Sequence, residues 1–272
     1  MTQLFCVVGD PISHSLSPLI HNGWHRDLGI NAEYAAAEVP KGDFAEALGT
    51  FTRENFCGLN VTLPHKVAAL QASTSHSPDC ARIGAANTLI RIETNQWHAH
   101  NTDVSGFRDA VTARWGDIRG ASALIIGAGG AARGVCAALS DLGVSISIAN
   151  RTRERAEDLC RDLGLEGLRV LPLDAVTSDS VASNLFVNCL SVGHDGTHLQ
   201  LPQGHGRMFF DISYGKAAAP TLNHATRQGW QTEDGLAMLV GQAADSFELW
   251  HGVAPDRANA MTRCRAALEA IS

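Results

Sequence analysis

A short apolar run, Ala123-Leu124-Ile125-Ile126, leads directly into Gly127-Ala128-Gly129-Gly130-Ala131-Ala132. Gly-x-Gly-x-x-Ala after a strand and at the start of a helix is suited to a dinucleotide pyrophosphate. Gly127 permits the tight turn, Gly129 leaves no side chain in the way of the phosphates, and Ala132 lets the helix pack closely on the sheet. The first amides of that helix then face the anion. A glycine-rich strand-to-helix turn also occurs with no ligand, so the flanking pattern matters: a helix to about Leu142, closed by Gly143, and a second strand, Val144–Ala149. At the end of that strand, where an NAD-binding unit carries Asp or Glu for the ribose hydroxyls, stand Asn150, Arg151, Thr152 and, one turn on, Arg155. Two guanidiniums and a hydroxyl accept a 2′-phosphate. Each such charge-assisted hydrogen bond is worth about 1.5–3 kcal/mol, enough for roughly a ten- to hundredfold preference for NADP. Without an anion beside them, cations at a helix start are unfavourable.

Four polar clusters precede this loop and exceed what a purely structural lobe needs. Gly9-Asp10-Pro11-Ile12-Ser13-His14-Ser15-Leu16-Ser17-Pro18 sets the hydroxyls of Ser15 and Ser17 beside the free amides of a helix start, which suits a carboxylate; an N-cap serine is the plainer alternative. Asn60-Val61-Thr62-Leu63-Pro64-His65-Lys66 delivers a lysine just past a strand end. The others are Gly84-Ala85-Ala86-Asn87-Thr88 and Asn101-Thr102-Asp103-Val104-Ser105-Gly106. A solvated lysine and a helix-capping aspartate are the alternatives for Lys66 and Asp103.

The elements that carry these residues read as an α/β protein with largely parallel sheets, because short apolar runs alternate with helical patterns. Leu4–Val8 is a first strand. A helix follows with Ser17 as N-cap, Pro18 at its first position, Gly29 as its stop, and a buried stripe of Ile20, Trp24 and Leu28. Phe44, Leu48 and Phe51 mark a second helix, and Gly58–Leu63 a strand ending at Pro64. Beyond the glycine loop, a helix capped by Thr152 carries Ala156, Leu159, Cys160 and Leu163 and stops at Gly164; Leu185–Leu190 and Met208–Ile212 are further strands. The domain boundary falls near Thr102–Gly106.

Composition narrows the function classes. The length suits one large domain or two modest ones. Lys and Arg number 21 against 28 Asp and Glu, a net charge of −7, which disfavours non-specific binding to nucleic acid or to an anionic membrane. No stretch approaches the ~20 apolar residues of a membrane span, and the first residues read as a strand and not as a signal peptide. The 7 cysteines are scattered and never spaced as CxxC, so free thiols in a reducing cytoplasm are expected, with no disulfide or metal framework. His21 and His25 lie four apart on a helix, but no HExxH surrounds them. No Gly-x-Ser-x-Gly elbow marks a serine hydrolase.

In their order along the chain, these segments resemble the shikimate dehydrogenase family. The resemblance continues through Asn150-Arg151-Thr152, Asp211-Ile212-Ser213-Tyr214, Asp234-Gly235-Leu236-Ala237-Met238-Leu239-Val240-Gly241-Gln242 and Phe247-Glu248-Leu249-Trp250-His251-Gly252. It implies a two-domain α/β protein: a substrate-binding catalytic domain over residues 1–103, completed by C-terminal helices over about 238–272, and a Rossmann-type doubly wound parallel-sheet NADP domain over 104–237. It further implies reversible NADPH-dependent reduction of 3-dehydroshikimate to shikimate in aromatic amino-acid biosynthesis, in the cytoplasm, by a monomer or homodimer.

Carried over by residue, Ser15 and Ser17 would bind the substrate carboxylate. Thr62, Asn87, Asp103 and Gln242 would bond the ring hydroxyls, with Asn60 and Tyr214 lining the same site. Lys66 would be the catalytic acid/base and Asp103 its partner. Gly127, Ala128, Gly129, Gly130, Ala131, Asn150, Arg151, Thr152, Arg155 and the backbone at Ile212 and Gly235 would hold NADP(H). Hydride transfer to a carbonyl leaves an oxygen that must gain a proton, and a lysine ammonium can supply it. Two departures stand out: Ile212 replaces a methionine of some members, and Ser73-Thr74-Ser75-His76-Ser77-Pro78 interrupts a helical stretch, predicting a shorter helix there. Two alternatives stay open, a relative acting on quinate or an aminated analogue, and a catalytically silent NADP-binding regulatory module.

Overall fold

The computed structural model describes residues 1–165, 167–177, 182–193 and 196–270. Its chain divides into two compact units, Met1–Gly106 with the chain from Leu239 onward, and Phe107–Met238. The expected end of the substrate domain, positions 271 and 272, lies outside the described residues.

The first unit is built on β1 (Gln3–Gly9), whose alternate side chains serve two cores. Cys6 and Val8 join Phe44, Leu48 and Leu59 on one face, and Phe5 and Val7 join Ile12 and Tyr34 on the other. Burial on both faces explains why the strand reads as a continuous apolar run. Around it follow α1 (Ser17–Asp27), β2 (Ala32–Glu38), α2 (Phe44–Arg53), β3 (Phe56–Val61), α3 (Lys66–Ala72), β4 (Ser75–His76), α4 (Pro78–Ile83), β5 (Thr88–Glu93), β6 (Gln96–His100) and α5 (Asp103–Trp115). The strand order is β2-β1-β3-β5-β6-β4. This sheet is largely parallel, as expected, with one reversed strand: β5 runs antiparallel to both β3 and β6, whereas β1 pairs in parallel with β2 and β3, and β4 with β6. A tight hairpin at Asn95, with a positive φ of 63°, turns the chain straight back from β5 into β6.

Local signals hold with informative exceptions. Helix α1 does not take Ser17 as its N-cap; Leu16 occupies that position, and the Ser15 hydroxyl accepts the Ser17 N–H at 3.2 Å. Ile20 and Trp24 are fully buried, but Leu28 lies past the last turn, 42% exposed, and so leaves the stripe. The interrupted stretch after Lys66 is indeed short: a seven-residue helix, the β4 bridge, and α4 capped by Ser77.

The second unit is the doubly wound sheet. It contains β7 (Ser122–Ile126), α6 (Gly130–Asp141), β8 (Ser145–Asn150), α7 (Arg153–Asp162), β9 (Arg169–Pro172), β10 (Leu185–Asn188), β11 (Met208–Asp211), α8 (Ala219–Arg227) and β12 (Gln231–Glu233). All described pairings are parallel, in the order β12-β11-β10-β7-β8-β9. Helices then cover both faces, and Leu124, Ile126, Phe186 and Phe209 pack on one of them. The order reverses between β7 and β10, the place where such sheets bind ligands. Thr152 stands at the N-cap of α7 but makes no capping hydrogen bond. The chain closes with α9 (Leu236–His251) and α10 (Arg257–Ala270). Among the described residues no helix is long and apolar enough to cross a membrane.

Candidate active site

Lys66 is the first residue of α3, where a cation meets the positive end of the helix and needs an anion beside it. Asp103 supplies one: Nζ to Oδ2 is 2.6 Å, with the side chains only 12% and 6% exposed. The segments are fixed by backbone bonds before any side chain acts. Ala86 N–H donates to Lys66 O at 2.8 Å, Val61 N–H to Asn87 O at 2.8 Å, and Thr62 N–H to Val8 O at 2.9 Å. Asp103 is the first residue of α5 and does not cap it: its two carboxylate oxygens take Lys66 and Asn87, while Asn101 Oδ1 accepts its N–H at 3.0 Å.

Asn87 is the hinge of the cluster. Its Oδ1 accepts from Thr102 N–H at 2.8 Å, and a backbone amide can only donate, so the carboxamide orientation is determined. Its Nδ2 then faces Asp103 Oδ1 at 3.1 Å and Gln242 Oε1 at 3.2 Å. Asn60 lies behind it, accepting from the Tyr34 hydroxyl at 2.6 Å and donating to Thr88 and Ser246. Burial pushes the Tyr34 phenol well above its usual pKa, and Ser17 also interacts with it. Lys66, Asp103, Asn87, Gln242 and Asn60 are thus brought together, and Ser17 reaches the same network through Tyr34. Thr62 adjoins it at the end of β3, where Gly9 has no room for a Cβ: such an atom would lie 2.5 Å from Thr62 Cγ2. Tyr214 belongs to the second unit, in the turn after β11.

The sequence reading did not assign Tyr34, Thr102 or Ser246. Ser246 had one legible sign, its place one helical turn after Gln242 on α9. Tyr34 had none, since Ala32–Glu38 carries little apolar pattern.

In the second unit, Gly127 has φ of 111° and lies where an added Cβ would meet Leu190 at 2.9 Å and Cys189 O at 3.3 Å. At Gly129, N-cap of α6, an added Cβ would meet nothing within 4 Å. The turn is therefore glycine for two reasons: packing at the first position and open space over the helix amides at the second. Ala128, Gly130 and Ala131 complete it. Asn150 donates to Thr152 O at 2.7 Å and shapes the β8–α7 turn. Arg151 and Arg155 are exposed, and among the described residues neither has a carboxylate partner, whereas Arg153 pairs with Glu157 at 2.7 Å. Gly235 is packed so closely on Ile212 that a Cβ would lie 2.1 Å from its carbonyl oxygen. Beside them Asp211 is fully buried. Burial raises its carboxyl pKa to about 6, partly offset by hydrogen bonds from Asn188 and Ser213. These residues fit a dinucleotide phosphate on the α6 amides and a 2′-phosphate on free guanidiniums.

Residues 7–89 match the shikimate dehydrogenase substrate binding domain, 109–224 the shikimate/quinate 5-dehydrogenase domain, and 235–263 the shikimate 5′-dehydrogenase C-terminal domain. A shikimate dehydrogenase (NADP(+)) from Hyphomonas neptunium is 48% identical over 274 residues, covering 100% of both chains. The chain belongs to the shikimate dehydrogenase family. Another shikimate dehydrogenase (NADP(+)), from Xylella fastidiosa, is 43% identical over 93% of this chain and 92% of its own. Among solved structures, shikimate 5-dehydrogenase from Thermus thermophilus in complex with NADP(H) and shikimate aligns with a TM-score of 0.84 and 34% identity, over 98% of this chain and 100% of that one. The two-domain α/β architecture is that of the shikimate dehydrogenase fold.

Proposed function

We propose that the chain catalyses the reversible, NADPH-dependent reduction of 3-dehydroshikimate to shikimate, a step of aromatic amino-acid biosynthesis. The observation that carries the reading is the Lys66–Asp103 pair at 2.6 Å, with Asn87 donating both to the same carboxylate and to Gln242. Ser15 and Ser17 hold the substrate carboxylate, and Thr62, Asn87, Asp103 and Gln242 take the ring hydroxyls, with Asn60 and Tyr214 lining the site. A carboxylate accepts from two hydroxyls and a carboxamide both donates and accepts, so the set discriminates the positions of hydroxyl groups on a ring.

Bound NADPH supplies the hydride. Lys66 donates a proton from Nζ to the oxygen that gains charge, and takes it back at the same atom in the oxidative direction. Asp103 holds the ammonium in place by a charge-assisted hydrogen bond. The first unit is the substrate domain and the second the cofactor domain. Gly127–Ala131 and the α6 amides hold the pyrophosphate, Asn150, Arg151, Thr152 and Arg155 the 2′-phosphate, and the backbone at Ile212 and Gly235 the remainder of NADP. The seven cysteines are free, which supports a reducing compartment such as the cytoplasm. The functional unit is a monomer or a homodimer.

The test is direct. Purified protein is mixed with shikimate or quinate and with NADP+ or NAD+, and reduced-nicotinamide absorbance is followed. The shikimate–NADP+ pair gives the highest kcat/KM. Higher turnover with quinate or NAD+ would move the reading to another member of the family, and no signal with any pair would leave a silent module.

A further inference from the structure

We infer that Ser246 is a positioning residue for the substrate-binding carboxamides Asn87 and Gln242, an assignment that rests on the reaction proposed above. Ser246 is fully buried on α9. It donates to Gln242 O at 2.9 Å, one helical turn earlier, which spends its only proton. Its oxygen then accepts on two lone pairs, and three candidate donors surround it: Asn60 Nδ2 at 3.0 Å, Thr88 Oγ1 at 2.8 Å and Thr102 Oγ1 at 3.2 Å.

These donors belong to the three segments that build the site. Asn60 and Thr88 face each other in the β3–β5 register, which places their side chains on one side of the sheet. Thr102 precedes Asp103. Thr88 Oγ1 and Thr102 Oγ1 also lie 3.1 Å and 3.2 Å from Asn87 Oδ1, so the one proton of each goes either to Asn87 or to Ser246. One hydroxyl therefore ties β3, β5 and the start of α5 to the helix that carries Gln242. The docking is reinforced by Trp250, whose indole donates to Leu89 O at 3.1 Å in the space that Gly58 leaves open. Trp250 sets the distance of α9 from the sheet; Ser246 sets its rotation, and with it the reach of Gln242 toward Asn87.

Removing this hydroxyl leaves every group that touches substrate in place but takes a partner from Asn60, Thr88 and Thr102, so the network that holds Asn87 and Gln242 loosens. The expected signature of Ser246→Ala is a rise of about tenfold in KM for shikimate, the size of one lost hydrogen bond, with kcat within about twofold and KM for NADP+ unchanged. Thr88→Val, which keeps shape and removes the facing hydroxyl, gives the same split. In a Gln242→Ala background, Ser246→Ala adds less than twofold, because the residue it positions is gone. The proposal is overturned if Ser246→Ala leaves KM for shikimate unchanged, if it raises KM for both substrates alike, or if its effect multiplies fully with Gln242→Ala. Wild-type protein assayed alongside separates the two readings: active wild type with an indifferent Ser246→Ala overturns this one alone, and inert wild type overturns both.

Discussion

Acid should loosen the first unit at the contact between α1 and α9, and His25 should carry much of the effect. His25 is buried with its ring between Phe5 and Phe247, and its Nε2 lies 3.2 Å from Nε2 of His251. Two neutral rings share one proton across that gap. A second proton would set donor against donor. Burial first, and then His251, lower the His25 pKa from 6.5 to about 4. The unfolded chain therefore binds the proton more tightly, so the stabilisation is complete above the unfolded value and is lost as pH falls toward 4. At 1.36 kcal/mol per pKa unit, the full loss is about 3 kcal/mol, of which about 2 kcal/mol is gone by pH 5. His21, stacked on Tyr34 at 4.2 Å, and His251 are shifted in the same direction by burial and add to it.

Two compact units need not unfold together, so a local probe is required. Amide hydrogen exchange along α1 and the last turns of α9 reports the opening free energy there. In the wild type it should fall by at least about 2 kcal/mol between pH 7 and pH 5. In His25→Phe, which keeps an apolar ring in the same enclosure, the fall should shrink by about that amount. Equal losses in both proteins would remove His25 from the explanation, and no loss in either would refute the buried-histidine argument.

Lys66→Ala should lower kcat by about 10²–10⁴ while KM for shikimate changes less, as for a general acid; wild-type turnover would remove the lysine from the chemistry. Arg151→Ala should weaken NADP+ about tenfold or more and NAD+ little, measured by titration of each cofactor, and an equal loss would mean that the 2′-phosphate is not read there. Asp211 should titrate near pH 6 when its carboxyl carbon is followed by NMR. Its folded pKa is raised from 3.8, so this group favours the native state more as pH falls and costs the fold about 3 kcal/mol once pH has risen above 6. A midpoint below 4 would contradict the burial argument.

The features legible in the sequence are those whose cause lies within a few neighbouring residues. The β7 run, Gly127 and the helix after it form one contiguous pattern, and the strand's apolar character, the glycine's φ of 111° and the helix start are each local. The free guanidiniums after β8 follow from residue type and position alone. The helix start is set one residue earlier than the sequence suggests: Leu16 takes the cap position, Ser17 is the first helical residue, and the Ser15 hydroxyl accepts its N–H. The reversed strand of the first sheet is not legible, because Thr88–Glu93 and Gln96–His100 carry polar and charged residues that mask their strand pattern.

By itself, then, the sequence determined the Rossmann-type half, the family and the types of residue available for the chemistry, because apolar periodicity, turn residues and ordered motifs are written in contiguous stretches. Only the tertiary structure decided which of those residues meet. Lys66 and Asp103 are separated by 37 positions, Asn87 and Gln242 by 155, and Asn60 and Ser246 by 186. Their contacts depend on strand order, on an antiparallel register and on the rotation of a returning helix, and those are properties of packing that no local pattern encodes.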